Sequence, residues 1–181
     1  SQSSPSHTKQ INLSDIIQKT DVQKLDSITS VSNNYFHVVQ ADYVMAAGHE
    51  VPFYLFLKRY LKHNIYSDLP MKFFHFGSVF RFPKNTKFPF SLGERRSFLE
   101  CYIVYKNEDD YEQYFNQAVQ WNRHLIKDIL YIPSIEVERP LITNKPFSRK
   151  TVCIDSITPL GMTVITGMSY LHDDIFTKIF S

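Results

Sequence analysis

Asp68-Leu69-Pro70-Met71-Lys72-Phe73-Phe74-His75-Phe76-Gly77-Ser78-Val79-Phe80-Arg81, followed further on by Glu94-Arg95-Arg96-Ser97-Phe98, is the stretch on which the fold turns. Asp68-Leu69-Pro70 interrupts the chain, because proline fixes φ and lacks an N–H. Residues 71–82 are then almost continuously apolar and aromatic, which predicts a long strand. Residues 84–96 carry Pro89, Gly93 and many charges after Pro83, and read as a loop. Residues 98–106 return as a second strand, so the whole predicts a long antiparallel hairpin with an extended tip. Side chains alternate across a strand, so Phe73, His75, Val79 and Arg81 share a face, as do Phe98, Glu100 and Tyr102. A suitable register would bring Arg81 and Phe98 onto the same side.

The flanks have mixed helical and extended periods. Residues 14–25 read as a short helix capped by Ser14, with Ile16, Ile17 and Leu25 on its apolar side. Residues 35–40 read as a strand. A helix is predicted over 50–63, with Phe53, Leu57, Tyr60 and Leu61 inward and Lys58, Arg59 and Lys62 in solvent. Another is predicted over 107–131, capped by Asn107, opened by Glu108-Asp109-Asp110 and packed through Tyr111, Phe115, Ala118, Val119, Leu125, Ile126 and Ile129. Trp121 and Tyr131 are read as helix-packing residues. Three short strands follow, over 135–138, 151–155 and 162–166. The order gives an antiparallel α+β fold, with residues 1–12 a flexible tail, 13–181 one domain, and no linker dividing it.

Composition limits the function classes. The 181 residues hold 43% hydrophobic and 15% aromatic residues, enough for a sizeable core. Only 5 glycines are present and no Gly-rich phosphate loop, which argues against P-loop and Rossmann readings. A net charge of +2 is too mild to imply nucleic acid by itself. Cys101 and Cys153 form no metal or disulfide pattern and read as buried free thiols. No apolar run reaches the roughly 18 residues of a membrane span, so the reading is soluble and intracellular, cytoplasmic or mitochondrial.

The stretch around Arg81 resembles motif 2 of class IIa aminoacyl-tRNA synthetases of the threonyl and prolyl type. Met45-Ala46-Ala47-Gly48-His49 looks like the threonyl "NCPGH". Pro89-Phe90, Ile132-Pro133 and the tail from Gly167 to Phe180 are similar to prolyl segments. The resemblance covers about residues 35–180 and implies an antiparallel class II synthetase-like sheet flanked by helices. It implies that Arg81 grips the α-phosphate of ATP, that Phe98 stacks on adenine, and that Glu100 is the retained substrate-facing carboxylate, with ATP and Mg as cofactors of an active enzyme. It also implies that the loop meets the tRNA acceptor end, making Lys84, Lys87, Arg95 and Arg96 candidate RNA contacts. Plain structural roles stand beside these: Arg81 paired with an acid such as Glu100, Phe98 in the core, the loop cations solvated.

Several positions depart from the resembled pattern. Pro83 stands where a glutamate reads adenine, Glu94 replaces the first arginine of the return strand, and Ile165 replaces an ATP-contacting glutamine. Met168 and Tyr170 replace threonine and histidine. Ala46 and Val104 replace two threonyl zinc ligands, which leaves His49 alone and predicts no metal, since one histidine cannot build a tetrahedral site. His172-Asp173-Asp174 reads as a surface turn. No counterpart of motifs 1 and 3 is found, which leaves a fragment or a reduced domain. The reading is a non-catalytic, degenerate synthetase-like module that binds RNA or partner proteins in a larger assembly. The alternative is a fragment of an ATP-dependent prolyl- or threonyl-type synthetase, and a third reading is an adenylate or small-molecule binder. A dimer stays open.

Overall fold

The computed structural model describes residues 8–25, 36–38, 40–63, 69–80, 95–105, 107, 109–139, 148–159 and 161–171. They fall into two compact units, one ending at Val104 and the other beginning at Tyr105, where the sequence had suggested no division.

In the first unit the hairpin forms as expected. β4 (Met71–Phe80) and β5 (Arg95–Val104) pair antiparallel, with Phe73 opposite Tyr102, His75 opposite Glu100 and Gly77 opposite Phe98. This register puts Phe73, His75, Gly77 and Val79 on the same face as Arg96, Phe98, Glu100 and Tyr102. That face is the inner one: Phe73, His75 and Val79 are buried, while Phe76 and Leu99, paired on the other face, are exposed. β1 (Lys9–Gln10) lies parallel to β4 and makes the third strand. Those two residues had been read as part of a tail.

β2 (Ile16–Gln18) pairs antiparallel with β3 (Tyr43–Met45). The helix predicted from residue 14 therefore starts later, as α1 (Lys19–Leu25). Ser14 explains the difference. Its Oγ accepts from Ile16 N–H at 3.2 Å and donates to the Ile16 carbonyl at 2.7 Å. This is a local turn that competes with helix formation. Ile16 is exposed and Ile17 buried, an alternation of period two. Of the strand predicted over 35–40, the described part contributes one bridge, His37 to Val44.

α2 (Glu50–His63) matches its predicted span. Glu50 suits the positive end of the helix, and Pro52 is tolerated in the first turn, where its missing N–H leaves no helix bond unmade. Phe53, Leu57 and Leu61 are buried. Phe53 lies flat on Tyr102, with ring centroids 3.8 Å apart and planes 8° apart, and meets Phe73 edge-on. The helix thus covers the inner face of the hairpin. Burying a phenylalanine there contributes about 1.5–3 kcal/mol.

The second unit is a helix on a three-stranded meander. β6 (Ser134–Arg139), β7 (Ser148–Thr158) and β8 (Gly161–Leu171) pair in sequence order, all antiparallel and all longer than predicted. α3 (Asp109–Arg123) runs on into a π-helical turn over His124–Ile129. Phe115 and Ile126 pack with Val152, Ile154, Met168 and Tyr170. The wider π turn rotates the last residues off the predicted stripe. Leu125, Ile129 and Tyr131 are exposed, and Trp121, which precedes the turn, is exposed as well, so the packing role read for Trp121 and Tyr131 is corrected. Tyr131 has φ 53° just past the helix end, and Ile132 N–H closes back to the Ile126 carbonyl at 2.9 Å.

Candidate functional site

Three backbone links gather polar groups onto the inner face of the hairpin. Ile11 N–H bonds to the Phe74 carbonyl at 3.0 Å, which lays residues 11–13 over His75. Ala46 N–H bonds to the Asp15 carbonyl, and Phe80 N–H to the Ala46 carbonyl, each at 2.8 Å. His49 then opens α2, its carbonyl accepting from Phe53 N–H at 2.8 Å. Its side chain, fully buried, turns down onto β5.

Glu100 is the centre of the resulting network. Its Oε2 takes the Tyr102 hydroxyl at 2.9 Å and lies 2.8 Å from His49 Nδ1. His49 Nε2 lies 3.4 Å from Asp15 Oδ1. Burial opposes a charge on His49, yet its bonds to Glu100 and Asp15 outweigh that and raise its pKa above the ordinary histidine value. Burial likewise pushes Glu100 up, and the His49 bond and charge overcome it, leaving the carboxyl below its usual range. Burial and the Glu100 charge drive the Tyr102 phenol upward, so it remains a donor. His75 meets His49 edge to face, centroids 4.5 Å apart. Gly77 is required beside them: a Cβ there would come within 2.3 Å of His75 Nε2.

The sequence-predicted residues fare differently. Phe98 and Glu100 share the inner face, Phe98 half-buried and opposite Gly77. Glu100 pairs with His49, where an arginine had been the expected partner. Arg95 and Arg96, expected on the loop, lie in β5 and point to opposite faces. Arg95 is exposed and donates to Ser78 Oγ at 3.1 Å, while Arg96 faces inward opposite Val79. Arg81, Pro83, Lys84, Lys87, Glu94 and His172-Asp173-Asp174 lie outside the described residues. Ile165 sits at a bulge in β8, skipped in the register between Val164 and Thr166. Cys153 is buried as expected, but Cys101 is exposed.

Sequence reasoning missed Asp15 and His75 as partners of His49. His75 carried one signal, its place on the same strand face as Arg81; nothing local marked Asp15. Both lie beside His49, at positions apart from Ala46 and Val104. No described helix is long and apolar enough to cross a membrane.

No protein-family model matches the chain. It is 29% identical over 132 residues to proline–tRNA ligase of Methanococcus vannielii, covering 72% of this chain and 28% of that protein. It is 28% identical over 116 residues to proline–tRNA ligase of Archaeoglobus fulgidus, covering 64% of this chain and 24% of that one. The chain thus spans about a quarter of these relatives' length. Among solved structures, Giardia lamblia prolyl-tRNA synthetase in complex with prolyl-adenylate shares the fold, with a TM-score of 0.80 at 18% identity over 95% of this chain and 36% of that one. The shared fold and the sequence likeness together identify the chain as class II aminoacyl-tRNA synthetase catalytic-domain-like, related to prolyl-tRNA ligases.

Proposed function

We propose that the chain serves translation as a prolyl-tRNA ligase-related module that holds tRNA-like RNA and does not itself activate an amino acid. The observation that carries this reading is the state of Glu100. In the resembled family the corresponding stretch faces substrate. Here both His49 and Tyr102 converge on one oxygen of Glu100, and Phe53 stacks flat over Tyr102. Small-molecule sites are concave and leave their polar groups open to the ligand; this face is covered by the chain's own helix. The sequence departures at Pro83 and Ile165 point the same way. RNA is the partner favoured by the relatives' kind and by the cations at 84, 87 and 95, each able to displace a counterion from a phosphate, whereas Arg96 faces inward.

The names of the relatives favour a second reading, in which the chain is part of an ATP-dependent prolyl-type ligase. Arg81 would then stabilise the charge that develops on the α-phosphate, Phe98 would hold adenine, and Glu100 would contact substrate, with ATP and Mg as cofactors. ATP–pyrophosphate exchange with proline separates the two. The first reading expects no proline-dependent exchange, together with salt-sensitive tRNA binding that weakens when Lys84, Lys87 and Arg95 are reversed to Glu. Exchange that disappears in Arg81→Ala establishes the second.

A further inference from the structure

Three groups from separate parts of the first unit meet beside the hairpin. A ring nitrogen of His49, one of His75 and a carboxylate oxygen of Asp15 all lie within 4.8 Å of one another. The hydrogen bonds decide which nitrogens are left to face a ligand. His49 Nδ1 is held by Glu100 Oε2 at 2.8 Å. His75 Nδ1 lies 3.2 Å from the Ile11 carbonyl and 3.3 Å from the Leu13 N–H. That leaves Nε2 on each ring. His75 is only 4% exposed, and its buried Nε2 has no hydrogen-bond partner among the described residues. An orphaned buried polar atom of this kind calls for an explanation in a native fold.

We infer that Asp15, His49 and His75 form a site for a first-row divalent cation, zinc above all, with water completing the coordination. Imidazole and carboxylate together suit zinc, at bonds of about 2.0–2.2 Å. Tetrahedral donors at that bond length stand roughly 3.3–3.5 Å apart. His49 Nε2 and Asp15 Oδ1, 3.4 Å apart, already span such an edge. The outer groups fit as well. A metal-bound histidine characteristically gives its other ring N–H to a carboxylate or a backbone carbonyl. Glu100 offers the first to His49, and Ile11 the second to His75 in the tautomer whose Nδ1 carries the proton, which excludes acceptance from Leu13 N–H and leaves Nε2 free to ligate. The Asp15 side chain, 45% exposed, provides a route for the ion. A plain His49–Asp15 ion pair accounts for the 3.4 Å contact but leaves His75 Nε2 unexplained. This ligand set does not use the positions of Ala46 and Val104, and it stands whether or not the chain activates amino acids.

The test uses the whole chain, stripped with a chelator and dialysed. Zinc affinity is measured by competition with a chromophoric chelator, and cobalt is substituted to read geometry. Expected are one zinc per chain and the intense visible cobalt bands of tetrahedral coordination. Asp15→Asn and His75→Gln should each weaken zinc by at least about tenfold, and Glu100→Gln by about 10–100-fold through the orientation of His49. Asp15→Asn decides the matter if His75→Gln fails to fold, because Asp15 is nearly half exposed. Zinc bound equally by wild type and Asp15→Asn, no saturable zinc at micromolar concentration, or an octahedral cobalt spectrum would each overturn the assignment.

Discussion

Glu100→Gln keeps the shape of the side chain and removes its charge, so it isolates what the His49 pair contributes. His49 is fully buried and Glu100 is 21% exposed at its side chain. Removing one partner of a buried pair costs about 3–5 kcal/mol, because the remaining charge is stranded. Two features place this case below that range. Asp15 Oδ1 stays 3.4 Å from the ring, and a glutamine oxygen still accepts from Tyr102 or His49. The expected loss is therefore about 2–3 kcal/mol where both groups are charged, with chelator present. The pH dependence follows from both groups. His49 has its pKa raised in the folded state, so its contribution is complete below the ordinary value of 6.5 and fades as pH rises through the folded value. Glu100 has its pKa lowered, so its contribution is complete above 4.5 and fades as pH falls through the folded value. The gap between wild type and Glu100→Gln should thus be widest between pH 4.5 and 6.5 and narrow on either side. Urea unfolding followed by far-ultraviolet circular dichroism and by amide exchange in β4 and β5 is the assay. Tryptophan fluorescence would mislead, since Trp121 is exposed and belongs to the second unit. A gap below about 1 kcal/mol within that window, or one that fails to narrow above pH 6.5 and below pH 4.5, would refute the reasoning.

Four further outcomes are expected. Phe53→Ala removes the ring stacked on Tyr102 and should lower stability by about 3–5 kcal/mol in urea unfolding, with Phe53→Leu distinctly milder. Gly77→Ala drives a methyl into His75 Nε2, on a buried ring fixed at Nδ1, and should lower stability by about 1–3 kcal/mol by the same measurement. Tyr131→Gly relieves a left-handed, exposed tyrosine and should raise the melting temperature, the gain staying under about 1 kcal/mol because glycine has more unfolded-state freedom. Glu136→Gln, which breaks an exposed pair with Arg123, should leave the unfolding midpoint nearly unchanged.

The hairpin was legible because its signal is local. Two aromatic runs flanking a Pro- and Gly-bearing loop can pair in few ways, and alternation fixed the shared face once the register was known. α2 was legible for the same reason, its apolar period running unbroken from Phe53 to Leu61. Residues 14–25 misled because Ile16 and Ile17 fit a helix and a strand equally well, and a hydroxyl at Ser14 decided between them. The end of α3 misled because one π turn shifts every later residue around the axis, and propensity carries no sign of it. The candidate site was half legible. Glu100, Phe98 and His75 lie on the predicted face, but their chemistry depends on Asp15 and His49, which reach it through backbone bonds between distant segments. No spacing rule connects positions 15, 49, 75 and 100.

The charges of that network bear on both readings of function. Asp15 and Glu100 set two acidic side chains against the single His49 ring, so the cluster is acidic on balance. Amino-acid activation brings a carboxylate to a triphosphate, and it needs fixed positive groups where negative charge gathers. An acidic cluster on the same face opposes that chemistry and favours a cation instead. Binding zinc with His49 as neutral imidazole would bring the two carboxylates and the metal to balance, removing the excess. Arg96 faces inward further along β5, opposite Val79. If the second reading were correct, neutralising the cluster should help the enzyme. Asp15→Asn would then raise proline-dependent exchange by weakening repulsion of the nucleotide, whereas a module that only holds RNA would show no exchange in either form. The same variant thus tests the charge argument and the functional reading by independent measurements, zinc affinity in one and pyrophosphate exchange in the other.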